Sequence, residues 1–201
     1  MSPTDAAASR HPLPPAPGDD RSLALALANT WLVTPAGTTD MIGDRELATA
    51  WLVERDLIDS ELTLGDPCTA RLRTLRHSIR ELLTALTQKE PAPQHALTAV
   101  NDALTAVPRA QLLAWGPEQG LYRRRLHPLD QATDHVLAEV AADAADLLTG
   151  PDVPRLAACA AEPCSRFLVR THGARLWCSV RCGDRVRAAR AYARRRRPSS
   201  G

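Results

Sequence analysis

Aromatic residues are scarce in this chain: four Trp, two Tyr and one Phe among 201 residues. Leu, Ala and Val must therefore build the core, and few side chains are left to stack on nucleic-acid bases. Lysine is scarcer still, since Lys89 is the single Lys among 25 basic residues. No apolar run approaches the roughly 20 residues that a membrane helix needs, so a helical span is not expected. A secretory leader is not expected either. Asp5, Asp19 and Asp20 lie where a leader has a basic region, and Leu23–Ala28 is too short for its apolar segment. There is no Gly-rich phosphate loop, no paired-carboxylate motif and no supported Ser/His/Asp set, so the protein is not expected to be an enzyme. No internal repeat is present.

The small net charge of +2 conceals a segregation. From Arg155 onward 12 Arg meet only Glu162 and Asp184, a surplus of +10; residues 1–154 hold 13 basic and 21 acidic groups, a balance of −8. A basic end on an acidic body marks an interaction segment, and a polyanion is its natural partner.

Residues 1–20 carry Pro3, Pro12, Pro14, Pro15 and Pro17 and are expected to form a disordered arm. Order should begin at Arg21–Trp31, where Leu23, Leu25 and Leu27 alternate with alanines; alternation suits a strand and alanine suits a helix, and both remain open. A turn-rich stretch, Thr34–Asp40, follows. Three helices are predicted next. The first is Asp44–Leu57, with Leu47, Trp51 and Leu52 near one face. The second is Pro67–Gln88, with apolar residues 3 and 4 apart from Leu72 to Leu86, stopped by Pro91 and Pro93. The third is His95–Val107. Gln111–Trp115 and Leu121–Arg125 read as a β-hairpin around a Gly-bearing turn, on which Arg124 could face inward to meet an acid or a ligand, a surface strand being the simpler reading. A fourth long helix spans about Asp130–Leu148, ended by Gly150-Pro151.

The cysteines then change the subject. Cys159-Ala-Ala-Glu-Pro-Cys164, thirteen residues, and Cys178-Ser-Val-Arg-Cys182 place four of five thiols within 24 residues. Two close pairs joined by a modest loop converge on one metal, so Cys159, Cys164, Cys178 and Cys182 are assigned as ligands of one structural Zn²⁺ in a reducing compartment. An iron–sulfur cluster is the alternative for four Cys, and His172 could replace one of them. Cys68 stands apart. Phe167–Val169 and Leu176-Trp177 are expected to pair as a hairpin. Ser179 would cap a final helix to Arg197.

On that helix Arg187, Arg190, Arg194 and Arg197 form one stripe, flanked by Arg181, Arg185, Arg195 and Arg196; intervening alanines keep it slim. Such a helix can lie along phosphates or enter a major groove. DNA is preferred over RNA because Phe167 and Trp177 are better used as finger core than as stacking platforms. Asn29 and Thr30, a polar pair closing an apolar run, are the candidate ligand or structural polar site of the larger domain.

Trp177-Cys178-Ser179, then Cys182-Gly183-Asp184-Arg185 and an Ala/Arg helix, resemble the CGNR zinc-finger family. The Leu-x-Leu-x-Asn29-Thr30 signature, the Trp51-Leu52 helix and the Leu126–Leu148 region resemble that family's N-terminal domain, which is described as a stress-induced transcription regulator. The resemblance covers about residues 21–197. It implies a bacterial α+β protein with a four-Cys zinc finger and a nucleic-acid-binding role; the cytoplasm is the compartment expected from the lack of a visible leader or membrane-length run. Asp184 stands where the family has Asn. Its carboxylate suits a helix N-terminus and could pair with Arg181 or Arg187, but it repels a phosphate there.

The expected architecture is therefore α+β: a mostly helical domain with a small hairpin sheet (21–150), a zinc finger with a basic helix (151–197) and a tail (198–201). The larger domain would sense a small-molecule ligand or form a homodimer and the finger would bind DNA; an RNA- or ribosome-associated protein is the alternative. Removal of 151–201 is expected to leave the rest folded.

Overall fold

The computed structural model describes residues 13–107, 111–125 and 132–196. The fold is α+β, with six helices and three two-stranded antiparallel hairpins among the described residues.

The ambiguous leucine–alanine run is a short helix, α1 (Leu23–Ala28), capped by Ser22, whose hydroxyl accepts from the Leu25 amide. Ala24 to Ala28 are buried on every side, at 0–4% exposure. A helix without a wet face shows no 3.6-residue period, which is why its sequence also reads as a strand. Asp143 of α5 (Ala132–Thr149) reaches across to this helix start and accepts from the Ser22 hydroxyl and the Ala24 amide. Strands β1 (Trp31–Thr34) and β2 (Gly37–Asp40) then fold the expected turn region into a hairpin, with Trp31 opposite Asp40.

Helix α2 (Arg45–Glu54) begins as expected, Asp44 accepting from the Leu47 amide. Helix α3 (Asp66–Gln88) carries Pro67 in its first turn and buries Leu72, Leu75, Ile79, Leu82 and Leu83. Helix α4 (Gln94–Thr105) packs on α3 and α5, burying Ala96 and Val100. Strands β3 (Gln111–Gly116) and β4 (Gly120–Arg125) form the expected hairpin with Trp115 opposite Leu121. The side chains of Arg123, Arg124 and Arg125, and thus the expected direction of Arg124, lie outside the described residues, as do positions 126–131. Val136, Leu137, Val140, Ala141 and Ala144 of α5 complete the helical core.

A 3-10 turn (Val153–Arg155) leads to β5 (Leu156–Ala158), which pairs with β6 (Phe167–Val169): Leu156 faces Val169 and Ala158 faces Phe167. This corrects the expected pairing of 167–169 with Leu176-Trp177. Leu156, Phe167 and Val169 are all apolar and all buried against α1, α3 and α5, so the earlier strand offers β6 a partner that shares its core. Leu176 supplies one carbonyl to the Ala160 amide instead. Helix α6 (Val180–Arg196) ends the described chain.

Two further expectations change. Residues 13–20, assigned by composition to the disordered arm, are folded: Leu13, Ala16 and Asp19 are buried and Pro17 accepts from the Val169 amide. Gly18, with φ +103°, makes the bend; a Cβ there would lie 2.8 Å from Leu25. Residues 1–12 lie outside the described residues. The second change concerns separability. Leu156, Phe167 and Val169 belong to the helical core, and Leu13, Ala16 and Leu32 pack with Cys159, Cys178 and Cys182. A cut at residue 151 would divide both clusters.

Candidate metal centre and basic helix

Cys159 leaves β5, Cys164 sits in the β5–β6 loop, Cys178 precedes α6, and Cys182 lies in its first turn. Backbone hydrogen bonds fix each knuckle. The Cys159 amide donates to Arg166 O and the Cys164 amide to Ala161 O, both at 2.8 Å. Ser179 caps α6 as expected, its hydroxyl accepting from the Cys182 amide at 3.2 Å.

The four sulfurs all lie within 4.8 Å of one another. Cys164 and Cys178 are 3.7 Å apart and Cys178 and Cys182 3.6 Å. A tetrahedron with Zn–S bonds of about 2.3 Å has edges of about 3.8 Å, so these distances fit a single tetrahedral ion. An iron–sulfur cluster places its own irons and sulfides between the thiolates and needs them wider apart, which favours one zinc. Cys159, Cys178 and Cys182 are buried, and four protein ligands leave no position for water; the ion would hold the finger together by closing a tetrathiolate. His172 is exposed and outside the cluster, and Cys68 is remote, accepting from the Thr133 hydroxyl.

The thiols differ among themselves. Hydrogen bonds from Cys164 and then Cys178 hold Cys159 far below the ordinary thiol value. Hydrogen bonding to Cys159, with burial, pushes Cys164 up to about 12 and Cys178 up as well. Cys159, Cys164 and Cys178 crowd one another, so the first loses its proton readily and the other two resist, and a tetrathiolate needs a cation in its centre.

Charge around the cluster is arranged to meet it. Arg166, fully buried, places Nη1 4.0 Å from Cys178 Sγ, donates to Pro14 O and pairs with Asp19 at 2.9 Å. Asp19 in turn accepts from the Ala16 amide and from Asn29 Nδ2 at 2.7 Å. Asn29 also exchanges two hydrogen bonds with the Phe167 backbone. The polar pair singled out in the sequence is thus structural. Asn29 ties α1 to β6, and the Thr30 hydroxyl donates to Leu27 O and accepts from Arg76. Asp19 and Arg166 escaped the sequence reading because their partners lie about 150 residues apart in the chain.

The arginines of α6 divide. Arg185 donates to the Ala161 and Glu162 carbonyls and clips the helix to the cysteine loop. Arg187 pairs with Asp184 at 2.6 Å and lies over Trp177, 5.4 Å from the ring centroid. Gly183 permits this stack, since a Cβ would stand 3.0 Å from the Trp177 ring. Arg181 is engaged within the chain, and Arg196 lies over Tyr192. Arg190, Arg194 and Arg195 are exposed and meet no partner among the described residues. Arg197 lies outside the described residues.

This combination of a helical domain and a closed four-cysteine cluster at the foot of a helix defines a zinc-finger protein. The chain belongs to the ABATE family, whose model, described as "putative stress-induced transcription regulator", matches residues 21–151, and it ends in a CGNR zinc finger matching residues 155–195. No curated protein matches the chain. No helix among the described residues is long and apolar enough to cross a membrane.

Proposed function

We propose that this protein is a zinc-dependent transcription regulator that binds DNA through α6, and that it is not an enzyme. The observation that carries the reading is the state of α6 beyond its first turns. Only Cys182 and Gly183 of the helix are buried, so its outer half packs against almost nothing. An isolated helix of this length is marginal in water, and one that is polar all round is bridging, laced by its own side-chain pairs or unstable alone, so a partner on the bare face of α6 would stabilise it. Arg190 and Arg194 continue the line of Arg187 on one face, and Arg195 stands beside it. The metal knuckle and the Arg185 clip set the angle at which that face is presented. The family's description as a regulator supports the same reading.

Asp184 does not oppose it, because Arg187 neutralises the carboxylate and both belong to the helix start. Trp177 is covered by Arg187 and Phe167 is buried under Arg80, which leaves Tyr192 as the exposed aromatic of the finger. One exposed ring is a poor single-strand platform, and duplex DNA is favoured.

Fluorescence anisotropy of the zinc-loaded protein against mixed-sequence duplex DNA and structured RNA, titrated over salt, tests this. With about four phosphates neutralised, log Kd against log salt should have a slope near 3 to 4 in magnitude. The triple variant R190Q/R194Q/R195Q should reduce that slope by about 2 to 3 while keeping its zinc. Undiminished binding by the variant would remove α6 from the interface, and preference for RNA would overturn the DNA assignment.

A further inference from the structure

A cavity of about 370 Å³ lies where α3 meets the β5–β6 hairpin, lined among others by Arg80, Thr84, Thr87 and Gln88 of α3 and by Ser165 and Arg170. That volume suits a small organic molecule. Among the described residues two guanidiniums and the Cys164 thiol line it, and no carboxylate does. Arg80 donates from Nη1 to Ala28 O at 2.6 Å and from Nη2 to Ser165 O at 2.9 Å, and lies over the Phe167 ring. Its hydrogen bonds go to carbonyls, and among the described residues the one acidic group acting on it is the Cys164 thiol, which lines the same cavity and belongs to the four-cysteine cluster. Burial and then the charge of Arg76, against the opposing charge of Cys164, bring its pKa down to about 10, which still leaves it charged at neutral pH. Arg170 is half-buried, and its Nε is buried without any hydrogen-bond partner among the described residues.

Other arginines of this body show the contrast. Arg76 has Asp40, Arg166 has Asp19 and Arg155 has Asp152. The neighbouring cavity beyond Arg80, about 500 Å³, is also rich in cations, but its Arg73 and Arg76 are both turned to Asp40. Buried cations are ordinarily paired, because desolvation without a counter-charge is costly. The C-terminal end of α3 also faces this region, and its partial negative charge works against an anion, so a single arginine would be a weak receptor. Two arginines, one on α3 and one following β6, together offset that.

We propose that the cavity between α3 and β6 is a binding site for a small organic anion, a carboxylate or a phosphate ester, held between Arg80 and Arg170 with Gln88 as a neutral hydrogen-bonding neighbour. The free N–H groups of Arg80 and the whole fork of Arg170 supply the donors, in the planar geometry that both oxyanions accept bidentately. Because Arg80 belongs to α3 and Arg170 follows β6, an occupant joins the helical body to the strand beside Cys164. The assignment is independent of whether α6 binds nucleic acid.

Isothermal titration of the full-length, zinc-loaded protein with succinate, inorganic phosphate and a nucleoside monophosphate, with glycerol as neutral control, decides it. At least one anion should bind at a single saturable site, and Arg170→Gln should weaken that binding at least tenfold. Arg190→Gln on α6 should leave it unchanged. The succinate and phosphate arms tell carboxylate from phosphate recognition. Arg80→Gln removes hydrogen bonds to the backbone and can unfold the protein, whereas the Arg170 side chain has no hydrogen bond or ion pair among the described residues to lose. Arg170→Gln should therefore keep its zinc and melt at or above the parent temperature. Absence of saturable binding by every anion up to about 10 mM, a concentration that would reveal even a millimolar Kd, would overturn the proposal. Equal binding by Arg170→Gln would overturn it too.

Discussion

Asp19 and Arg166 form an ion pair of 2.9 Å in which the side chains are 7% and 0% exposed. One partner comes from the segment ahead of the helical domain and the other from the loop between two cysteine ligands. Both partners make further bonds: Asp19 also takes the Ala16 amide and Asn29, and Arg166 also reaches Pro14 O and approaches Cys178, leaving only its Nε without a partner among the described residues. Removing one member of such a pair leaves the other charge buried, at a cost of about 3–5 kcal/mol. Asp19→Ala should lower the thermal midpoint by roughly 6–20 °C, while Asp20→Ala, at an exposed neighbouring position, should leave it within about a degree or two. Equal behaviour of the two variants in a calorimetric scan would contradict the network.

Truncation offers a second check. The fragment 21–150 lacks β6, whose Phe167 and Val169 belong to the helical core, and it lacks Asp19. Burying a large apolar side chain contributes about 1.5–3 kcal/mol, and two such residues plus Leu156 rival the whole stability of a small domain. The fragment should show reduced near-ultraviolet dichroism and no cooperative transition. A sharp unfolding transition at the parent temperature would show that the body folds alone.

Metal content is the third. The intact protein should carry one zinc per chain, and Cys178→Ala should carry none, because the three remaining thiolates, Cys159, Cys164 and Cys182, cannot hold the ion against a chelator. The shared clusters make the effect global, so the melting temperature of the whole chain should fall along with the finger. Acid should act in the same direction, since each thiolate must be protonated to leave the metal. Full zinc occupancy in the variant would mean that another group supplies the fourth ligand.

Asp40 gives the pH prediction. Burial pushes its carboxyl up, but the hydrogen bond and charge of Arg76, with the Ile42 amide and Arg73, outweigh burial and hold it below the ordinary value. A depressed folded pKa means stability that is fully present above the unfolded value of about 3.9 and lost as pH falls through the folded value. Asp40→Asn should therefore cost about 2–3 kcal/mol at pH 7, somewhat less than a fully buried pair, and the gap to the parent should close below about pH 4. A gap that stays constant between pH 7 and pH 3 in denaturant titrations would refute the assignment.

Much of this protein was legible in the chain. Helix α3 announced itself because Leu72 to Leu83 keep one face dry and the other wet, and the metal ligands because four cysteines in two close pairs have few other uses. What stayed hidden has a common cause. The Leu–Ala helix α1 is wet on no side and so shows no period. The β5–β6 pairing joins strands of three residues each, too short for an alternating pattern. Proline content described the composition of residues 13–20 but not the surface that Leu13 and Ala16 fill.

The amino-acid sequence by itself determined the family, the four ligands, the α+β class and the concentration of positive charge on the last helix, since each depends on residue type and near spacing. Only the tertiary structure decided which charges are already spent. Arg185 and Arg187 are drawn into the finger, Arg166 into a buried pair, and Arg80 and Arg170 onto a cavity without a carboxylate among the described residues. An arginine's role depends on what lies within a few ångströms of its guanidinium, and that is set by contacts between residues far apart in the chain.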